Sequence, residues 1–194
     1  MGTAKGTATG TMPGSPIAWG ATQAEWDRSY PSDERLRPGW MRMLRAVPCT
    51  APPEAVWPWL CQIQVAPYSY DLLDNWGHRS PRTLTPGLTD LTVGQDFMTI
   101  FRLEVFVAGS RLTLSMKPGP PTRMFGAGWI TYAVEPAGRG SRLVGALAFP
   151  RRRGPLGAVS NALLPWGDLV MMRKQLLTLA GLASRAGDGD VTPG

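Results

Sequence analysis

The chain has 194 residues, enough for one well-cored domain and too few for two comfortable ones. Its 20 Lys+Arg against 14 Asp+Glu give a formal charge of +6, carried mostly by arginine because Lys5, Lys117 and Lys174 are the only lysines. Apart from Arg151, Arg152 and Arg153 the basic residues are scattered, which argues against the long phosphate-tracking stripe of a nucleic-acid binder; no apolar run approaches the ~20 residues that span a bilayer.

Residues 1–20 are rich in Gly, Thr, Ala and Pro and show neither a hydrophobic period nor the apolar core of a secretory signal, so they are expected to form a disordered leader. Residues 21–38 form a polar arm, with Trp26 and Tyr30 as lone aromatics suited to pinning it on a single domain over 39–186. A polar tail, 187–194, follows. A first strand is predicted over 40–47, closed by Pro48. Thr50-Ala51-Pro52-Pro53-Glu54 then reads as a helix start, with prolines where a missing N–H is harmless and an acid near the positive end of the dipole. That helix, over 53–63 and bent at Pro58, turns Val56, Trp57, Leu60 and Ile63 to one side. Cys49 and Cys61 lack the close pairing of a zinc site or disulfide framework and read as free buried thiols.

The stretch 66–82, APYSYDLLDNWGHRSPR, is the densest in chemistry. Its centre, 69–76, suits a short helix with Ser69 as N-cap, Asp71 in the first turn and Gly77 as the stop. Leu72, Leu73 and Trp76 would dock it, leaving Asp71, Asp74 and Asn75 for other work. A loop over 83–90 leads to strands predicted at 97–104, 106–107, 111–116, 129–135 and 141–149. Alternation places Leu112, Leu114 and Met116, then Ile130, Tyr132 and Val134, then Leu143 and Leu147, on common faces. Turn residues at Gly109-Ser110 and around Gly138 and Gly140 join neighbours as hairpins, and the proline-rich 116–128 connection reads as a loop of the kind that rims a site. A last helix is predicted from 161 or 163 to 183, with Pro165 near its first turn. It carries an apolar stripe of Leu169, Met172, Leu176, Leu179 and Ala180, with Arg173, Lys174 and Gln175 pointing elsewhere.

A strand, two short helices, a meander and one long amphipathic helix make an α+β order, that of a helix-grip fold: a curved antiparallel sheet wrapped around its final helix. The segments APPEAVWPWL, PYSYDLLDNWG, SPR, VGQDF and GDLVMMRKQLL resemble those of the START-related, polyketide-cyclase-like superfamily known as SRPBCC, in an uncharacterised bacterial branch. The resemblance covers 40–183 and implies that fold with a hydrophobic cavity between sheet and helix, but not one activity.

From this follows the expectation of a cytoplasmic monomer or homodimer that binds a small hydrophobic molecule, with no nucleic-acid partner, no membrane insertion, no metal and no cofactor. The cavity is expected to be lined by Phe101, Leu112, Leu114, Met116, Tyr132, Met172 and Leu176, with Met171 as core filler. At its mouth Tyr68, Tyr70 and Trp76 would cover a flat ligand, while Arg79 or Arg82 would either fix a carboxylate or enolate oxygen or pair with Asp71 or Asp74. Arg102 is expected to be a strand-surface cation beside Glu104 or an inward group at the cavity wall. The sole histidine, His78, reads as a surface residue, so no histidine-based metal cluster or serine triad is available. The alternative is a cyclase-like enzyme in which Arg82 polarises a carbonyl and Tyr70 or Asp71 moves a proton.

Overall fold

The computed structural model describes residues 11–69 and 80–188. Among these, β1 (Ala18–Trp19), β2 (Trp40–Cys49), β3 (Asp96–Phe97), β4 (Phe101–Val107), β5 (Arg111–Met116), β6 (Trp129–Ala137) and β7 (Gly140–Pro150) form one sheet in the order β1-β2-β7-β6-β5-β4-β3. Hairpins join β3 through β7 in sequence, and β7 then pairs antiparallel with β2 along its whole length, Trp40 opposite Pro150 and Cys49 opposite Ser141. Helix α2 (Pro53–Cys61) and the long helix α4 (Pro155–Asp188) cover one face, which makes this a helix-grip fold with a curved, mostly antiparallel sheet.

The inward face follows the pleat. Met43 pairs with Leu147 and Leu147 with Ile130, which continues the row to Leu114 and Leu103; all five are buried. These side chains meet Val56, Leu60 and Ile63 from the α2 region and Leu176, Leu179 and Ala183 from α4 in one core. In the next row, Arg45 pairs with Gly145 and Gly145 with Tyr132. A Cβ on Gly145 would lie 2.5 Å from Met172 Cε, so the bare backbone there is what lets α4 come down on the sheet.

The expected leader differs from the structure in its second half. Ala18 is buried, and Ala18–Trp19 pairs parallel to Leu44 and Arg45 of β2, so residues 11–20 belong to the fold. Residues 1–10 and the tail from 189 lie outside the described residues. The arm itself is well anchored. Helix α1 (Gln23–Asp27) begins with a capping box in which Thr22 accepts from the Glu25 N–H and Glu25 accepts from the Thr22 N–H. Arg142 donates two hydrogen bonds to Glu25; although burial opposes ionisation, those bonds hold the carboxyl below its ordinary range. Arg42 spans Asp33 and the Trp26 ring. Tyr30, Leu44, Ala46, Ala133, Val144 and Ala146 form a second small core, where small side chains let the arm sit close to the outer face of the sheet.

Boundaries moved for local reasons. Strand β2 runs on through Pro48 to Cys49, because β1 covers only Leu44 and Arg45 and leaves an open edge where a proline is tolerated. Helix α2 stops at Cys61 and tightens into a 3-10 turn over Gln62–Gln64. The predicted strand 97–104 splits into β3 and β4 around Met98, whose backbone is left-handed (φ 48°) and whose N–H donates to Gln64 O at 2.9 Å. Inside the loop expected over 116–128 lies a short helix, α3 (Pro120–Phe125), with proline in its first turn. The final helix starts at Pro155, several residues earlier than predicted, so Pro165 is interior to it. Asn161 helps fix that start: its side chain accepts from the Arg152 N–H and donates to the Arg152 carbonyl.

Candidate functional site

Helix α4 meets the sheet unevenly. Over 169–183 it buries Leu169, Met172, Gln175, Leu176, Leu179 and Ala183, whereas over 155–168 only Gly157 and Pro165 are buried. Beneath that earlier half lies a cavity of about 560 Å³ that opens to the surface, within the usual size range of small-molecule sites. Its floor is Phe101, Met116, Ile130, Tyr132 and Phe149 from the sheet; its roof is Leu163, Leu164, Gly167, Met171 and Met172 from α4. Met98, Thr99 and Ile100, the irregular link between β3 and β4, close one side, with Pro67 and Ser69 nearby.

The walls are mostly apolar, and their charge is concentrated at one place. Arg45 stands on the inward face of β2 with no solvent exposure, and its Nη2 lies 2.9 Å from Asp168 Oδ2 of α4. The same groups also serve the surroundings: Nη1 donates to Ile17 O (2.8 Å) and Leu44 O (3.0 Å), Nη2 to Pro165 O (3.2 Å) and Met43 Sδ (3.5 Å). Asp168 Oδ2 is itself buried and is held by the Arg45 charge. Burial pushes the Asp168 carboxyl up to about 6 against the pull of Arg45, and the same burial lowers Arg45. Next to them Tyr132 Oη donates to Gln175 Oε1 (2.7 Å), and Gln175 Nε2 donates to Pro67 O (2.6 Å). Burial and the Asp168 charge keep the Tyr132 hydroxyl protonated well above its ordinary range.

Of the residues expected to line the cavity, Phe101, Met116, Tyr132 and Met172 do line it. Leu112, Leu114 and Leu176 do not: they have no exposure and sit in the solid core. Alternation identifies the face a residue shares, not how far along that face the helix comes down. Met171, expected as filler, is part of the roof. Gln175, expected to point away, is buried and bonded on both sides.

Of the residues expected at the mouth, Tyr68 and Arg82 do not line this cavity. Tyr68 and Arg82 border a second, smaller pocket of about 180 Å³ with Ser80 and Lys174. Tyr68 is buried, left-handed (φ 55°) and edge-on to Trp59, while Arg82 is exposed. Tyr70, Trp76, His78 and Arg79, with Asp71, Asp74 and Asn75, lie outside the described residues. Arg102 is exposed on the strand surface. Cys49 and Cys61 are free and buried, and burial pushes the Cys61 thiol up to about 12, so it is unreactive at neutral pH. Among the described residues no cluster of His, Cys, Asp and Glu is suited to hold a metal, and no helix is long and apolar enough to cross a membrane.

The sequence reading missed the Arg45–Asp168 pair, although both residues carried a signal. Arg45 keeps the inward parity of Met41, Met43 and Val47. Asp168 precedes Met172 by four residues and Gln175 by seven, on one helix face.

No family model matches the chain, and no curated protein is similar to it in sequence. Backbones of similar course occur in a Staphylococcus aureus protein of unknown function (14% identity, 77% of this chain and 96% of that one, TM-score 0.49). They occur also in norcoclaurine synthase from Thalictrum flavum, solved with dopamine and hydroxybenzaldehyde (13%, 79% and 89%, TM-score 0.47). A third is an Arabidopsis thaliana member of the major latex protein family (16%, 74% and 96%, TM-score 0.42).

Proposed function

We propose that the protein binds a small hydrophobic molecule, lipid, sterol or polyketide-like, between the sheet and the first half of α4. The observation that carries this reading is the cavity of about 560 Å³ walled by Phe101, Met116, Ile130, Phe149, Leu164 and Met172. A soluble domain gains stability by collapsing such a space, since burying apolar area yields about 25 cal/mol per Å². Here Arg45 of β2 fixes the middle of α4 through Pro165 and Asp168, and the cavity lies beneath the helix on the N-terminal side of that tie. Tyr132 and Gln175 are satisfied within the protein and are suited to positioning rather than to chemistry.

Native mass spectrometry of freshly purified protein, with thermal-shift measurements across a lipid, sterol and polyketide panel, tests this. A co-purifying apolar compound, or a ligand that raises Tm in a saturable way, is the expected result. No adduct and no shift across the panel would remove the reading.

A further inference from the structure

We infer that the ligand of this cavity carries a neutral hydrogen-bond donor, an alcohol or phenol hydroxyl, that docks on Asp168. The inference rests on the cavity-binding reading and adds the ligand's polar chemistry to it. Three observations support it. Asp168 lines the cavity, and of the groups around it only Arg45 reaches it, as an ion pair at 2.9 Å from Oδ2, while Tyr132 donates to Gln175 and Gln175 donates to Pro67. The Asp168 side chain keeps 15% exposure, so the carboxylate can accept a charge-assisted hydrogen bond from a ligand hydroxyl. Arg45 has no exposure, so a ligand carboxylate would meet the acid and not the base. The remaining walls are mostly apolar, with Ser69, Thr99 and Ser160 as scattered hydroxyls, so most of the ligand is greasy.

The test is displacement of 1,6-diphenylhexatriene, a reporter without polar groups, by 2-naphthol, 2-methylnaphthalene and 2-naphthoate. At pH 8 the naphthol is expected to compete about tenfold better than the methyl compound, despite being less hydrophobic, and the naphthoate worst of all. In Asp168→Leu, and in Arg45→Met/Asp168→Leu where no buried charge is stranded, the preference for naphthol should fall below about threefold while the reporter still binds. Equal competition by the naphthol and the methyl compound, or tightest binding by the naphthoate, would overturn the inference and leave the cavity reading standing. Absence of saturable reporter binding would overturn both.

A separate observation concerns the outer face of α4. Leu156, Val159, Leu163, Trp166 and Val170 recur at alternating spacings of three and four, and all are exposed, Leu156 by 87% and Trp166 by 53%, with Leu163 also at the rim of the cavity. Arg151, Arg152 and Arg153 are exposed beside the first turn, and Arg173 and Lys174 farther along. Between 155 and 187 the one acid is Asp168, which faces the cavity. We further infer that this face lies on an anionic bilayer surface, at the level of the headgroups, with the cavity mouth beside it. A second copy fits less well: antiparallel pairing sets the arginine triplet against Arg173 and Lys174 of the other chain, and parallel pairing sets like against like. Each basic residue near an anionic surface contributes about 1 kcal/mol.

Sedimentation with vesicles tests this. Binding is expected to phosphatidylcholine vesicles containing about one third phosphatidylglycerol, not to pure phosphatidylcholine, and to weaken with salt. Leu163→Glu/Trp166→Glu and Arg151→Gln/Arg152→Gln/Arg153→Gln should each reduce it at least about tenfold with the circular dichroism unchanged, since the residues are exposed. Failure to bind anionic vesicles would overturn the inference, as would a dimer in light scattering that Leu163→Glu/Trp166→Glu abolishes in the absence of vesicle affinity.

Discussion

The two halves of α4 are one continuous helix under two different physical regimes. Over 169–183 its inward side chains interdigitate with β2, β7 and α2, and Met172 settles into the notch left by Gly145. Over 155–168 the inward side chains border open space and the outward ones are apolar as well. Helical periodicity alone therefore does not say what a helix is for. The packed half stabilises the domain, and the lifted half roofs a cavity whose geometry is set by the polar seam of Arg45, Pro165 and Asp168 between them.

The largest expected effect lies at that seam. Arg45→Met leaves the buried Asp168 without its counterion and should cost about 4 kcal/mol at pH 8 in urea unfolding, most of it recovered in Arg45→Met/Asp168→Leu. Within the packed half, Leu179→Ala removes a side chain with no exposure and should cost about 3 kcal/mol. The matching change in the lifted half, Leu163→Ala, should stay within about 0.5 kcal/mol, and equal costs would erase the distinction.

The acid at the seam also sets a pH dependence. Its folded pKa of about 6 lies above the ordinary 3.8, so the folded state holds a proton that the unfolded chain has released. The contribution of Asp168 to stability should therefore be greatest below pH ~4, decline as pH rises through ~6, and level off above, by an amount on the order of 3 kcal/mol. Urea midpoints measured across that range in wild type and Asp168→Asn check this; the slope should be absent from the variant. One change in the lifted half is expected to be a gain. Gly167 is helical, borders the cavity and has nothing within 4 Å of a built Cβ, so Gly167→Ala should stabilise by about 1 kcal/mol without closing the cavity.

The sheet and the long helix were legible because their signals are periodic. Leu143 and Leu147, or Leu169, Met172 and Leu176, announce a buried face whatever lies opposite. The cavity was legible only as a consequence of the order of elements, and its extent was not: Leu112 and Met116 share one face of β5, yet only Met116 reaches open space. Depth along a face depends on where the helix descends, and that is decided by Gly145 and by Arg45's hold on Pro165, residues far apart in the chain. The second half of the leader was misread for a related reason, while Trp26 and Tyr30 pin the arm as expected. Composition weighs a segment's own hydrophobicity, whereas Ala18 is buried by pairing with β2.

The central claim is that the space under the first half of α4 is a real binding site. Ile130→Trp tests it most directly, since Ile130 sits on the cavity floor and a larger side chain there grows into the void. Titration with 1,6-diphenylhexatriene should give saturable one-to-one binding in the wild type and at least about tenfold weaker binding in the variant, with stability unchanged or raised. Equal affinity in the two proteins, or a variant destabilised as though it had been forced into a packed core, would contradict the account.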